Sequence, residues 1–336
     1  MYLIKEVELD VLNQEYVEDR IESPFCTYEW LNFLKHNQNA KPVVLAVIDK
    51  KETVAFFVGA IVKKVGIRIL GSPFEGWLTP DMGFIGLKEF NINHAITAVK
   101  KYAFCELKCC FLQITDKKLK NQELDLKHVH FETTRVLHID SSRDQEKILA
   151  NFSKHGRRDV RAAGRKGLAF KELPFDENFA KIYYKQLVDV FKKQNLHPNY
   201  DLKKVNDLVK AFTNVPERVF AIGAFYEDKC VGTVFSFGYG KWAYYIGAAS
   251  FREYQKKLPN EGLFWEFVKH WNERGIENID MVGFRPYKMK YNPEIIEIPT
   301  LVFQKYPFLI MGKNCAKKAV ELIRKIKGKK DESINY

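Results

Sequence analysis

At 336 residues, with 46% apolar and 14% aromatic content, the chain has the length for two domains and the apolar mass to fill a core in each. Its six cysteines show neither CxxC nor Cys/His spacing, which excludes the usual zinc-site and disulfide-framework patterns. The net charge of +12 is local: residues 151–171 carry seven Lys/Arg against one Asp and residues 313–330 carry eight against one Glu, leaving the rest near neutral. Two patches of this kind argue for recognition of a particular anion and against general coating of nucleic acid. No run approaches the roughly 18 apolar residues of a membrane span, and MYLIKEVELD lacks a cationic segment followed by an apolar core. The expected location is therefore the cytoplasm.

In chain order, residues 28–36 read as a short amphipathic helix after the Ser23-Pro24 break, with Trp30, Phe33 and Leu34 inward. Strand-like runs start at Val43, Val54 and Ile67, with turns at Asp49-Lys50-Lys51 and Val65-Gly66. The stretch from Gly71 to Gly86 is too rich in Gly and Pro for regular structure. Its Phe74, Trp77 and Phe84 either line a pocket or plug a domain edge. Residues 93–106 have helical periodicity and residues 107–115 read as a buried strand.

The run NFSKHGRRDVRAAGRKG, Asn151 to Gly167, reads as a helix with Lys154, Arg157, Arg158, Arg161 and Arg165 on one face and Leu149, Phe152, Val160 and Ala163 on the other. Like charges three or four positions apart cost about 0.2–0.5 kcal/mol per pair, so such a stripe calls for an anionic partner. That partner is either the protein's own carboxylates or the phosphate or carboxylate of a ligand, for which the planar Arg fork is suited. A second helix follows at residues 178–193. The order of the first half then recurs: a helix at 202–212, strands from Val219, Cys230 and Lys241, a helix at 261–274 and a strand from Ile276. A duplicated α/β unit is the economical interpretation, and it places the basic helix where its cationic face looks into the groove between the copies.

Three segments then point to a family: SKHGRRDVRAAGRKG; YYIGAASFREYQKKLPNEGLFWEFVKHWNERGIENIDMVG; and YKMKYNP. Together they resemble the GNAT-fold acyltransferases related to the Fem peptidoglycan aminoacyltransferases, in which two GNAT units are joined in tandem. The matching residues are Ser153, Lys154, Arg157, Arg158 and Arg161; Tyr245, Gly247, Ala248, Asn260, Leu263 and Trp265; Asp280 and Gly283; and Lys288, Lys290 and Tyr291. The resemblance implies an α/β fold of two GNAT-like units in tandem, each a mixed, largely antiparallel sheet flanked by helices. The expected domains are residues 1–140, residues 141–310 beginning with the basic helix, and a basic amphipathic tail at 311–336. It also implies transfer of an acyl group to an amine of a cell-envelope sugar or peptide precursor.

Such a transfer needs a neutral amine, a polarised carbonyl and a route for a proton, and none of these requires a metal. Asp280, Tyr287 and Lys288 are the catalytic candidates. Lys154, Arg157, Arg158, Arg161 and Arg165, with Trp77 and Tyr245, are candidates for the substrate. Lys256, Lys257 and Lys290, with the helix opening at Asn260, are candidates for the donor. No permanently bound cofactor is expected; acyl-CoA or aminoacyl-tRNA serves as co-substrate. The chain leaves no segment for the long helical arm of the tRNA-dependent Fem enzymes. Gln255 to Gly262, QKKLPNEG, stands where acetyl-CoA-using relatives carry a Gly-rich loop. The expected partners are an anionic small-molecule or lipid-linked envelope precursor, tRNA as the alternative, and an anionic membrane surface at the inner face if the tail lies on it instead of docking on the body. A non-catalytic anion-binding protein on the same fold is the remaining reading.

Overall fold

The computed structural model describes residues 2–306, apart from residues 65, 75–76, 125–128, 140–143, 193–195, 199 and 284. The expected amphipathic tail at 311–336 lies outside the described residues. The first unit runs β1 (Leu3–Val7), α1 (Glu15–Glu18), α2 (Tyr28–Asn37), β2 (Lys41–Asp49), β3 (Glu52–Lys64), β4 (Ile67–Ser72), β5 (Gly83–Gly86), α3 (Ile92–Cys105), β6 (Phe111–Thr115) and β7 (Val129–His138). After it come α4 (Gln145–Asn151), α5 (Lys154–Ala163), β8 (Leu168–Glu172), α6 (Glu177–Lys192) and α7 (Leu202–Phe212). The second unit continues with β9 (Val219–Tyr226), β10 (Lys229–Tyr239), β11 (Trp242–Ser250), α8 (Pro259–Glu273), β12 (Asn278–Asp280) and β13 (Glu294–Gln304).

The strands form one sheet in the order β1-β2-β3-β4-β6-β13-β7-β12-β11-β10-β9-β8, with β5 added to β3. The meander β2-β3-β4, the helix α3 and the parallel strand β6 are matched by β9-β10-β11, α8 and the parallel strand β12. Between these halves the last strands are exchanged. Strand β7, from the first part of the chain, pairs with β12, and β13, from the end of the second, inserts between β6 and β7. The repeat read from the sequence is therefore present as two units sharing one sheet.

Alternation along the strands divides the interior into three cores, because successive side chains leave opposite faces. On β2 and β3, Val44, Ala46, Phe56 and Val58 enter a core shared with Phe179, Tyr183, Phe212, Phe235, Phe237 and Tyr244 of the second unit. Helices α2, α6 and α7 cover it, with Trp30 fully buried and its indole Nε1 donating to Thr79 Oγ1 at 3.0 Å. The alternate residues Val43, Leu45, Ala55 and Phe57 pack beneath α3. Leu263, Phe264, Phe267 and Trp271 of α8 close the third core.

Local chemistry sets the element ends. Thr27 and Asp201 cap α2 and α7 by accepting from the backbone N–H of Trp30 and Lys204. The basic helix expected from 151 to 167 is confined to α5: α4 ends at Asn151, Phe152 is buried, Ser153 Oγ accepts from Gly156 N at 3.1 Å to start α5, and Arg165 lies on the turn beyond Ala163. The stretch from Gly71 to Gly86, expected to be irregular, contains β5. The strand expected from residue 107 begins only at Phe111, because Lys108 takes a left-handed turn. Among the described residues no helix is long and apolar enough to cross a membrane.

Tight interleaving of α8 with β10 gives a direct test. A Cβ at Gly238 would overlap the buried Trp271 ring, whose Nε1 is held by Ser236 Oγ at 2.9 Å. Gly238→Ala is expected to lower unfolding free energy by about 1–3 kcal/mol in urea titration.

Candidate active site

Where the two units meet, one ammonium is gripped from both sides. Asp116 closes β6 by accepting from Phe84 N and Lys118 N, each at 2.9 Å, and so starts a 3₁₀ turn whose first residue is Lys117. Lys117 Nζ lies 2.9 Å from Asp280 Oδ2 at the end of β12 and 3.4 Å from Asp81 Oδ1 in the first unit. It donates to Tyr244 Oη at 3.1 Å and sits over the rings of Trp242 and Tyr244, 4.1 and 4.4 Å from their centroids. Burial opposes the charge on Lys117, but Asp81, Tyr244 and Asp280 together outweigh it and hold the amine well above its usual range. Burial pushes the Asp81 carboxyl up, with Lys117 pulling against it, and pushes Asp116 up to about 6.

Asp280 is fully buried and links this cluster to the next turn of chain. Its Oδ1 accepts from Thr134 Oγ1 at 2.6 Å and from Val282 N at 2.8 Å. Val282 and Gly283 both have positive φ, 50° and 67°, and a β-branched residue in that region is strained unless its surroundings hold it. Lys288, buried at 5% exposure, supplies the second restraint: its Nζ donates to the carbonyl oxygens of Met281 and Val282. Burial lowers the Lys288 amine to about 8, opposed by Asp280 and aided by Arg285 and Arg135.

Val282 and Gly283 reach the wall of a cleft of about 210 Å³ between the units. Phe74 and Trp77 form another wall, and Gln113, Thr115 and Thr134 lie on the strands beneath. Thr134 therefore joins the cleft to the buried ion cluster. A larger hollow of about 760 Å³ lies beside α6 and α7, lined by residues such as Tyr184, Lys192 and Lys204, none of which belongs to this cluster.

The structure brings Asp280 and Lys288 together and puts Trp77 on the cleft, whereas the other candidates are elsewhere. Tyr287 follows on the turn Pro286–Tyr291 and is half exposed. Tyr245 faces away from Tyr244, buried against Phe264 and Phe267 under α8. Expectation and structure part over the cationic face: among the described residues lining the cleft there is no Lys or Arg. Helix α5 packs its Gly156–Val160–Ala163 side on α8 and on the turn carrying Lys290, which leaves Lys154, Arg158, Arg161 and Arg165 in water. Arg158 and Arg161 side chains are 67% and 57% exposed, with Asp159 at 3.0 Å and Glu146 at 3.6 Å as partners. Arg157 folds back on the carbonyl oxygens of Ala150 and Phe152.

At the opening of α8 the cap position is Leu258, left-handed and without a side-chain cap, so Asn260 is inside the first turn and does not lead the helix. Lys257 Nζ stands 3.7 Å from the centre of the Tyr226 ring, and the Lys256 carbonyl receives Lys166 Nζ. Lys290 is neutralised by Glu261 at 2.5 Å and Asp159 at 3.6 Å. Lys117, Asp81 and Thr134 were missed by sequence reasoning: each is a single residue without a motif, and only the shared sheet brings them together.

Residues 154–289 match the family model described as an acetyltransferase (GNAT) domain. That stretch, from α5 to the turn after β12, is what the chain shares with GNAT acetyltransferase domains. The crystal structure of FemX superposes with a TM-score of 0.64 at 11% identity, covering 88% of this chain and 96% of that one. L-PGS from Bacillus licheniformis gives 0.53 at 12% identity, over 91% and 95%. A tandem GNAT protein from the clavulanic acid biosynthesis pathway gives 0.50 at 10%, over 91% and 99%. These likenesses span both units, and with the repeated meander they show the tandem GNAT fold. The search of curated proteins finds no match. Within the matched stretch, β11 and β12 run parallel only through Tyr244 and Asp280 and then part, which puts Asp280 and Lys288 at the fork.

Two substitutions probe the junction. Lys117→Met leaves two buried carboxylates without their cation and is expected to lower stability by about 3–5 kcal/mol. For Lys288, the folded amine titrates near 8 and the unfolded one near 10.5, so between those values the unfolded chain binds more protons and this site's contribution to stability rises with pH. Denaturant titrations should show the native protein gaining on Lys288→Met as pH rises across that window; a flat difference would contradict the assignment.

Proposed function

We propose that the protein is an N-acyltransferase that moves an acyl group from an activated, acyl-CoA-like donor to an amine of a cell-envelope sugar or peptide precursor. The observation that carries this reading is the fork itself: a cleft between the units ends on the strained Val282-Gly283 turn, backed by Lys288, inside a matched GNAT domain. The likeness to FemX over nearly the whole of both chains supports the envelope substrate class.

In this reading the donor approaches the opening of α8. The first-turn N–H groups there lack intrahelical acceptors, Lys256 is exposed, and Asn260 Oδ1 is buried without a partner among the described residues. The acceptor amine attacks at the fork in its neutral form. Lys288, whose ammonium form burial disfavours, and the adjacent Tyr287 serve the proton, while Asp280 positions the turn by accepting from Val282 N. The work is positioning and electrostatic stabilisation.

Fem-type transfer from aminoacyl-tRNA is the second reading, favoured by one observation: Lys154, Arg158, Arg161 and Arg165 form an exposed band open to a polyanion. A thermal-shift series with acetyl-CoA, charged tRNA and a nucleotide-sugar separates the two. A donor at about 100 times its Kd should stabilise the fold by about 2.7 kcal/mol. The acyl-CoA reading expects that response from acetyl-CoA, unchanged by RNase. The tRNA reading expects steep salt dependence, with Arg158→Ala and Arg161→Ala each reducing the salt slope by about one unit. A response to neither donor would overturn both.

A further inference from the structure

We infer that the cleft between the units is an amino-sugar subsite, so that the acceptor amine is carried by a pyranose ring and not by a peptide. This rests on the acyltransfer reading above and narrows its acceptor. The cleft, about 210 Å³, is smaller than the roughly 300–1,000 Å³ of sites that enclose a drug-sized ligand, and suits one ring-sized group.

Its lining is divided as a sugar is. Phe74 and Trp77 are half-buried, with ring centroids 5.8 Å apart and tilted by 55°; Lys64 Nζ stands 4.4 Å from the centre of the Phe74 ring, so Trp77 is the aromatic face offered to the C–H side of a sugar. Gln113 and Thr133 offer an amide and a hydroxyl to ring hydroxyls. Three other threonines are already engaged: Thr79 with Trp30, Thr115 with Thr300, and Thr134 with Asp280. Among the described lining residues the one charged group is Glu132, a carboxylate on β7. As a carboxylate it attracts an ammonium.

Once the ammonium has given one proton to solvent, the amine nitrogen forms the new N–C bond as the acyl–sulfur bond of a thioester donor breaks. The second amine proton ends on the leaving thiolate, giving an N-acylated sugar and a free thiol.

The test is binding without a donor, followed by tryptophan fluorescence and saturation-transfer NMR on the full chain. Glucosamine is compared with glucose, which lacks the amine, and with lysinamide, which lacks the ring. Glucosamine is expected to bind most tightly. Trp77→Ala should abolish the saturation-transfer signal of glucosamine in a chain that still unfolds cooperatively, while Trp77→Phe keeps part of the affinity. Glu132→Gln should weaken glucosamine about tenfold and leave glucose unaffected, as the loss of one charge-assisted contact implies. Lysinamide binding as tightly as glucosamine, no glucosamine signal, or glucosamine affinity indifferent to both positions would overturn the inference. Failure of the underlying reading is distinct, since it shows as no thermal response to acetyl-CoA or charged tRNA whatever the sugars do.

Discussion

One buried ion cluster makes the two units a single site. Lys117 comes from the first unit and Asp280 from the second, and each is a buried charge that the other pairs across the junction. Asp81 and Tyr244 complete the enclosure, again one from each unit. A buried lysine facing carboxylates on one side only would leave the shared core wetter and the junction free to slide. Held from both sides, it fixes where β12 ends, and hence where Val282 turns back and where Lys288 finds its two carbonyl acceptors. The geometry of the fork thus depends on an interaction that does not itself line the cleft.

The shared sheet is what permits that arrangement. Because β7 pairs with β12 and β13 lies between β6 and β7, the cleft is built on strands from both units and cannot open by separating them. The apolar faces follow the same logic. Helices α2, α6 and α7 cover one core common to both units, while α3 and α8 each close one of the others. A junction that rigid suits chemistry in which a bound amine and a carbonyl must be held within a few tenths of an ångström.

Much of this was legible beforehand, and the gaps have physical causes. Trp30, Phe33 and Leu34 mark α2 by helical spacing, and the two three-strand meanders stand out through apolar runs separated by charged or glycine turns, so the repeat could be read directly. Strands β7 and β13 could not. HFETTR carries polar residues on both faces and EIPTLVF is interrupted by Pro299, so each becomes a strand through its long-range partner and not through local pattern. The strand expected from Ile276 pairs with β11 only over Asn278–Asp280, because the chain turns left-handed at Val282. The basic helix was visible as a pattern, but its direction was not. Gly156 and Val160 choose the buried side, and that choice turns the arginines outward. Asp280 and Lys288 could be named through resemblance alone; Lys117 and Asp81, isolated in the sequence, had no such signal.

The exchange of strands also bears on how the chain is made. As it leaves the ribosome, the first unit has β6 and β7 without the strand that belongs between them, since β13 is the last described strand to be translated. Until it arrives, two ladders of N–H and C=O groups stand open to pairing with any other nascent chain. The polar faces and charges of β7 then do for the growing polypeptide what a gatekeeper does in an aggregation-prone segment: they keep an unfinished sheet soluble until its own closing strand arrives.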